Sequence, residues 1–284
     1  MQVTWLFPGL FVVLWSTGFI GAKLGLPYAE PFTFLSLRFL FVLGLLLPLC
    51  WLSRAPWPNR QGMAHMAVAG VLMQAGYLGG VFASMHHGMP AGVSALITGL
   101  QPVFTAVLGG WLLHERTSLR QWGGFGLGLV GVVLVVGDRI AVHNLTLGAI
   151  LLSALALASI TLGTVWQKRH GGAIDLRSGA AIQFAAAAVV LAPLAFLLET
   201  REVRWTGEFV FALAWLVLVL SLGAIFLLLY LIRHGAATRV ASLFYLVPPT
   251  TALIAWPLFG ESYSLLAALG MGLGMLAVWL VTKP

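Results

Sequence analysis

Two stretches decide the fold. Pro102–Glu115 reads PVFTAVLGGWLLHE, and Pro248–Glu261 reads PPTTALIAWPLFGE, 146 residues further on. Each leads into a glycine-rich apolar run, with Gly124 and Gly128 in the first and Gly270 and Gly274 in the second, again 146 apart. The register holds outward from these blocks. Gly18 falls on Gly163, Lys23 on Lys168, Arg38-Phe39 on Gln183-Phe184 and Pro48 on Pro193, all at 145, and His87-Gly88 falls on His234-Gly235 at 147. Apolar helices match one another by chance. Lys, Pro, Glu and His are rare in them, so their matching in order at a nearly constant offset marks an internal repeat.

The solvent of that repeat is a bilayer. Apolar residues make up 60% of the 284 and charged ones 8%, against roughly 25% charged in soluble domains. A span needs roughly 20 apolar residues, which leaves room for ten: 5–24, 31–52, 62–85, 89–113, 119–137, 146–167, 177–198, 208–232, 236–258 and 263–281. The stretch 62–113 is too long for one helix, and Gly88 with Pro90 supplies the break. The segment before Lys23 has no preceding Lys or Arg and reads as a first span rather than a signal peptide.

Ten spans put both termini on one side. Loops after even-numbered spans, with the C-terminus, carry ten of the fifteen Lys and Arg residues and the opposite side five. The positive-inside bias then predicts cytoplasmic termini in a bacterial inner membrane. The net charge of +7 forms no basic stripe, so it reads as topology and not as a nucleic-acid footprint. The lone Cys50 allows no internal disulfide, no His or Cys pattern suggests a metal, and no phosphate-binding loop is present. No cofactor is expected.

The expected fold is therefore all-α and integral to the membrane, with five-helix repeats at 1–144 and 145–284. An odd span number per repeat inverts the second half, the architecture of alternating access. Here the chain resembles the drug/metabolite transporter superfamily in its ten-helix EamA-type branch. The resemblance rests on Leu14-Trp15-Ser16-Thr17-Gly18-Phe19-Ile20, Leu37-Arg38-Phe39 and the doubled Pro-to-Glu block. It implies a carrier, usually an exporter of small metabolites such as amino acids, with a central cavity lined by spans 1, 3, 4, 6, 8 and 9.

Polar residues at mid-span are the candidate substrate contacts, since an unpaired polar group in hydrocarbon costs several kcal/mol. In span 1 these are Trp15, Ser16 and Thr17, with Thr161 opposite in span 6. The hydroxyls suit helix packing as well as a cavity, whereas a Trp at mid-depth suggests a cavity wall. Gln74 and Tyr77 lie one turn apart, on one face of span 3. Ser94, Thr98 and Gln101 form a stripe on span 4, mirrored in span 9 by Ser242 and Tyr245. Pro102 leaves the Thr98 carbonyl without a donor, and Pro248 with Pro249 should kink span 9 at mid-depth, so these three are candidate hinges.

Arg38, about two turns inside span 2, is the candidate electrostatic element. It either pairs with Glu30 or biases the cavity toward carboxylates. Glu115 and Glu261 suggest a shared structural role at the helix ends. The pairs Gly124/Gly128 and Gly270/Gly274 permit close helix contact, within a half or across a homodimer. No Asp or Glu lies near the middle of a span, so a proton relay would have to run through His86, His87 or a joint carboxylate. A secondary exporter of a small polar or amphipathic metabolite fits these features. A multidrug carrier or importer on the same fold remains open, and an intramembrane enzyme lacks a paired nucleophile.

Overall fold

A computed structural model describes residues 6–112, 118–143, 146–234, 243–260 and 264–282. Among the described residues there are ten helical spans. The first half holds α1 (Leu6–Gly25), α2 (Pro31–Leu52), α3 (Arg60–His86), α4 in two segments (Ala91–Thr98 and Gln101–Leu112) and α5 (Leu119–His143). The second holds α6 (Leu147–His170), α7 (Leu176–Leu198), α8 (Gly207–His234), α9 (Val247–Phe259) and α10 (Leu265–Thr282). Six of them are by themselves long and apolar enough to cross a membrane. The surface they present is apolar: Leu40, Phe41, Val189, Phe196, Leu197 and Leu253 are all exposed. The interior holds Arg38, Gln74, Gln101 and Gln183. Apolar outside with polar groups gathered inside is the arrangement a bilayer selects.

Local chemistry sets the ends. Asn59, Thr146, Asp175 and Thr206 cap α3, α6, α7 and α8 by accepting from first-turn backbone N–H groups. The expected break between spans 3 and 4 falls at Gly88, whose φ of 89° closes the turn after α3. Pro248 and Pro249 do not kink a helix at mid-depth as the sequence suggests. They occupy the first turn of α9, after a 3₁₀ turn at Leu243–Leu246, where a missing N–H leaves no bond unmade.

The packing repeats itself with the halves exchanged. α3 lies on α6 as α8 lies on α1, α3 meets α7 as α8 meets α2, and α2–α7, α4–α9 and α5–α10 are mutual pairs. Single contacts obey the same rule. Gly18 receives the Leu220 side chain, and Gly163 receives Met73, its repeat-related counterpart. Phe39 and Phe184, matched in the repeat, pack on each other at 5.6 Å. α3 and α8 each carry a π-helical segment, Val71–Gly76 and Leu216–Ala224. Adding the offset of 147 to 71–76 gives 218–223, inside the second segment.

The two ends of the bundle differ in chemistry. At one end the α1–α2 and α7–α8 loops clasp each other. Glu199 accepts from the Phe32 and Thr33 backbone N–H groups (2.7 Å each), so a residue of the other half caps α2. Glu30 accepts from the Thr200 N–H and hydroxyl (2.6 Å each) and from the Arg201 N–H. Ala29 and Val203 form an antiparallel bridge, and the Arg204 N–H donates to the Tyr28 carbonyl. At the repeat-related position Asp175 caps its own helix instead, and the link across to the α2–α3 loop is Ser178 Oγ donating to the Pro56 carbonyl (2.7 Å).

Gly124, Gly128, Gly270 and Gly274 are all buried. Within the chain, the close glycine contact lies between the halves, where α5 meets α10. A methyl placed on Gly131 would sit 2.5 Å from the Gly270 carbonyl oxygen. Small residues there let two backbones touch, the main source of helix association in lipid.

Two predictions follow from this packing. Gly131→Val should lower the melting temperature in detergent, by the equivalent of about 1–3 kcal/mol. Gly126→Val, with nothing within 4 Å of the new carbon, should leave it unchanged. Hydrogen bonding from Thr200 holds the Glu30 carboxyl below its ordinary value of 4.5. Its stabilising contribution is therefore full above that value and is lost as pH falls through the lower folded value. The gap in melting temperature between the native protein and Glu30→Gln should be constant at neutral pH and narrow below about pH 4.5.

Candidate functional site

The site forms where α1, α2, α3 and α8 meet. A cavity of about 30 Å³ is walled by Trp15, Phe19, Arg38, Tyr77, Phe82 and Leu220, among others. In that measure it has room for one or two waters. Trp15 is 6% exposed. Its Nε1–H donates to the Tyr77 hydroxyl at 3.2 Å, and the two rings lie within 13° of parallel at 6.1 Å. Phe11 and Phe244 pack against Trp15 from behind.

Arg38 is 2% exposed. Its Nε–H donates to Ser221 Oγ at 3.0 Å, and it makes no ion pair among the described residues. The pairing of Arg38 with Glu30 suggested by the sequence is not formed. Glu30 is held by Thr200 and Arg201 at the clasp, while Arg38 turns inward to α8. Ser221 in turn donates to the Leu216 carbonyl, five residues back, inside the π-helical segment. That widened turn brings the hydroxyl to face α2. Ser221 was not among the residues singled out by the sequence. The repeat could have found it, because Ser221 lies 147 residues from Gln74.

The other sequence candidates divide. Gln74 is 2% exposed, but it does not line the cavity, and its Oε1 has no partner. The sequence set Gln74 and Tyr77 on one face by α-helical spacing. The π segment between them changes the phase, and Tyr77 alone reaches the cavity. Ser16 donates to the Val12 carbonyl and lies 3.4 Å from the Val247 carbonyl, joining α1 to α9. Thr17 accepts from Trp215 Nε1–H at 3.0 Å, joining α1 to α8. Thr98 and Thr161 donate to carbonyls of their own helices, and Ser94 Oγ is buried without a partner.

Gln101 donates to Thr164 Oγ1 at 2.8 Å, tying α4 to α6. Among the described residues, spans 4, 6 and 9 contribute no side chain to this small cavity, and Arg38 from α2 enters it. Pro102 sits at the start of the second α4 segment, beside an interruption at Gly99. Gly99 lies against Pro248, so the broken helices of the two halves touch where both are interrupted. Ser242, Glu115 and Glu261 lie outside the described residues, as does the Tyr245 side chain.

An inverted pair of five-helix repeats enclosing a small, partly polar cavity defines a polytopic membrane transporter. The chain belongs to the EamA-like transporter family, whose model matches residues 5–137 and 147–283. It is 28% identical to an uncharacterized inner membrane transporter, YedA, of Escherichia coli K12, over 99% of this chain and 92% of that protein. It is 26% identical to a probable amino-acid metabolite efflux pump of Salmonella typhimurium, over 56% of this chain and 52% of that one. A solved crystal structure shares its fold at a TM-score of 0.74 and 20% identity, covering 98% of this chain and 95% of that one.

Tyr77→Phe tests the aromatic wall. It strands the buried Trp15 N–H and should destabilise the protein by about 1–3 kcal/mol. Thermal unfolding of the purified variant measures this, and Trp15→Phe, which removes the donor, should restore part of the loss in the double variant.

Proposed function

We propose that this protein is a secondary carrier that exports a small amphipathic metabolite, of amino-acid size, across the bacterial inner membrane by alternating access. The observation that carries the reading is the central cavity. Arg38, Trp15 and Tyr77 meet between two ends that are built to the same plan and held by different contacts. In an inverted repeat, exchanging the conformations of the halves exchanges which end is tight. The relative described as an amino-acid metabolite efflux pump supports a metabolite of that size.

On this reading both termini are cytoplasmic, which the Lys and Arg bias supports. The clasp between the α1–α2 and α7–α8 loops then closes the outer end and must open for release. On this reading transport runs without proton coupling, which the lack of a carboxylate near the middle of any span supports.

Counterflow in proteoliposomes tests the proposal, with a panel of amino acids, organic acids and nucleobases. The expected result is accumulation of labelled compound for one chemical class, equal with and without a pH gradient. No exchange across the panel from folded protein would refute the carrier reading. A pH dependence abolished by His87→Ala would refute the uncoupled mechanism.

A further inference from the structure

We infer that the cavity beside Arg38 binds the head group of an organic monocarboxylate with an apolar or aromatic body, and selects such anions over zwitterionic amino acids; this refines, and rests on, the carrier reading. A guanidinium has five N–H donors. Ser221 takes the one on Nε, and the four on the two Nη atoms have no acceptor among the described residues. A buried charge without a partner is costly. The missing counter-charge is not supplied by protein: no Asp or Glu lines the cavity.

The Nη pair presents the fork that matches a carboxylate bidentately. The Tyr77 hydroxyl accepts from Trp15, and Tyr77 lies in the cavity wall beside the guanidinium. Phe19, Phe82 and Leu220 complete an apolar wall suited to the remainder of the ligand. At about 30 Å³ the cavity takes a head group and not a whole metabolite. Loading the body requires α3 and α8 to part, and each carries a π-helical segment beside the site.

An ammonium has no place in this charge pattern. It would enter beside a fixed positive charge in a low-dielectric site, with no carboxylate in the lining to receive it. One cation and no anion in the wall describe a receptor for a monoanion.

Equilibrium binding to the purified full chain tests this, using labelled 3-phenylpropanoate with 3-phenylpropanamide and L-phenylalanine as competitors. These three share a skeleton and differ in the carboxylate or the added ammonium. The acid should bind at least about tenfold more tightly than either competitor, the worth of one charge-assisted hydrogen bond. In Arg38→Gln the preference should collapse to within about twofold, and in Arg38→Lys, which keeps the charge without the fork, it should weaken but survive. Should Arg38→Gln fail to fold, the native protein and Arg38→Lys decide.

Folded native protein that binds no acid would overturn the inference, as would equal binding of acid and amide. So would phenylalanine binding as tightly as the acid, or a preference that survives Arg38→Gln. Binding is read without transport, so the two proposals fail separately. Acid preference without any counterflow would remove the carrier reading alone, and counterflow without acid preference would remove this site alone.

Discussion

Five is an odd number of spans, and a chain that repeats a five-helix unit must thread the second copy through the bilayer in the opposite sense. Contacts must then recur with the halves exchanged. Gly18 with Leu220 answers Gly163 with Met73, and Phe39 meets its own counterpart Phe184. The interruption of α4 at Gly99 and the 3₁₀ turn before α9 stand at matched depth and touch through Pro248. A molecule built this way has two related ends, and what distinguishes them is side-chain chemistry on a shared frame.

That chemistry is unequal at both levels of the bundle. Where one end uses Glu199 and Glu30 to reach across to the other half, the related position uses Asp175 to cap its own helix. At mid-depth, Arg38 stands where the second half has Gln183. Gln183 donates to Gln167 at 2.9 Å within its own half, whereas Arg38 has one hydroxyl and an open cavity. Arg38, the charged residue lining the cavity, is thus on one side of the pseudo-symmetry. On the proposed reading it neutralises a monoanion. An inside-negative potential drives that anion outward with about 2.3 kcal/mol per 100 mV, which gives export a driving force without a proton relay.

The spans and the repeat were legible in the sequence because the bilayer enforces them. Roughly 20 apolar residues per crossing and a few rare polar residues at constant offset are visible without coordinates. Trp15, Arg38 and Tyr77 were legible for the same reason, as residues that lipid does not accept at that depth. The rest depends on partners distant in sequence. Nothing local in Val71–Gly76 announces a π segment, so the phase between Gln74 and Tyr77 was misjudged. Glu199 caps a helix 166 residues away, and once Thr200 holds Glu30, Arg38 is left to Ser221. The glycine stripes were visible, but their partner was in the opposite half, where Gly131 meets Gly270.

The most direct measurement of alternating access is a reversible lock on the clasp. Ala29 and Val203 face each other in an antiparallel bridge, a separation that suits a disulfide. The buried native Cys50 is first replaced by serine to leave a silent background. In Ala29→Cys/Val203→Cys, oxidation should abolish counterflow of the transported compound, and reduction should restore it. Undiminished exchange in fully cross-linked protein would contradict the account, because a carrier whose outer end never opens cannot release its cargo there.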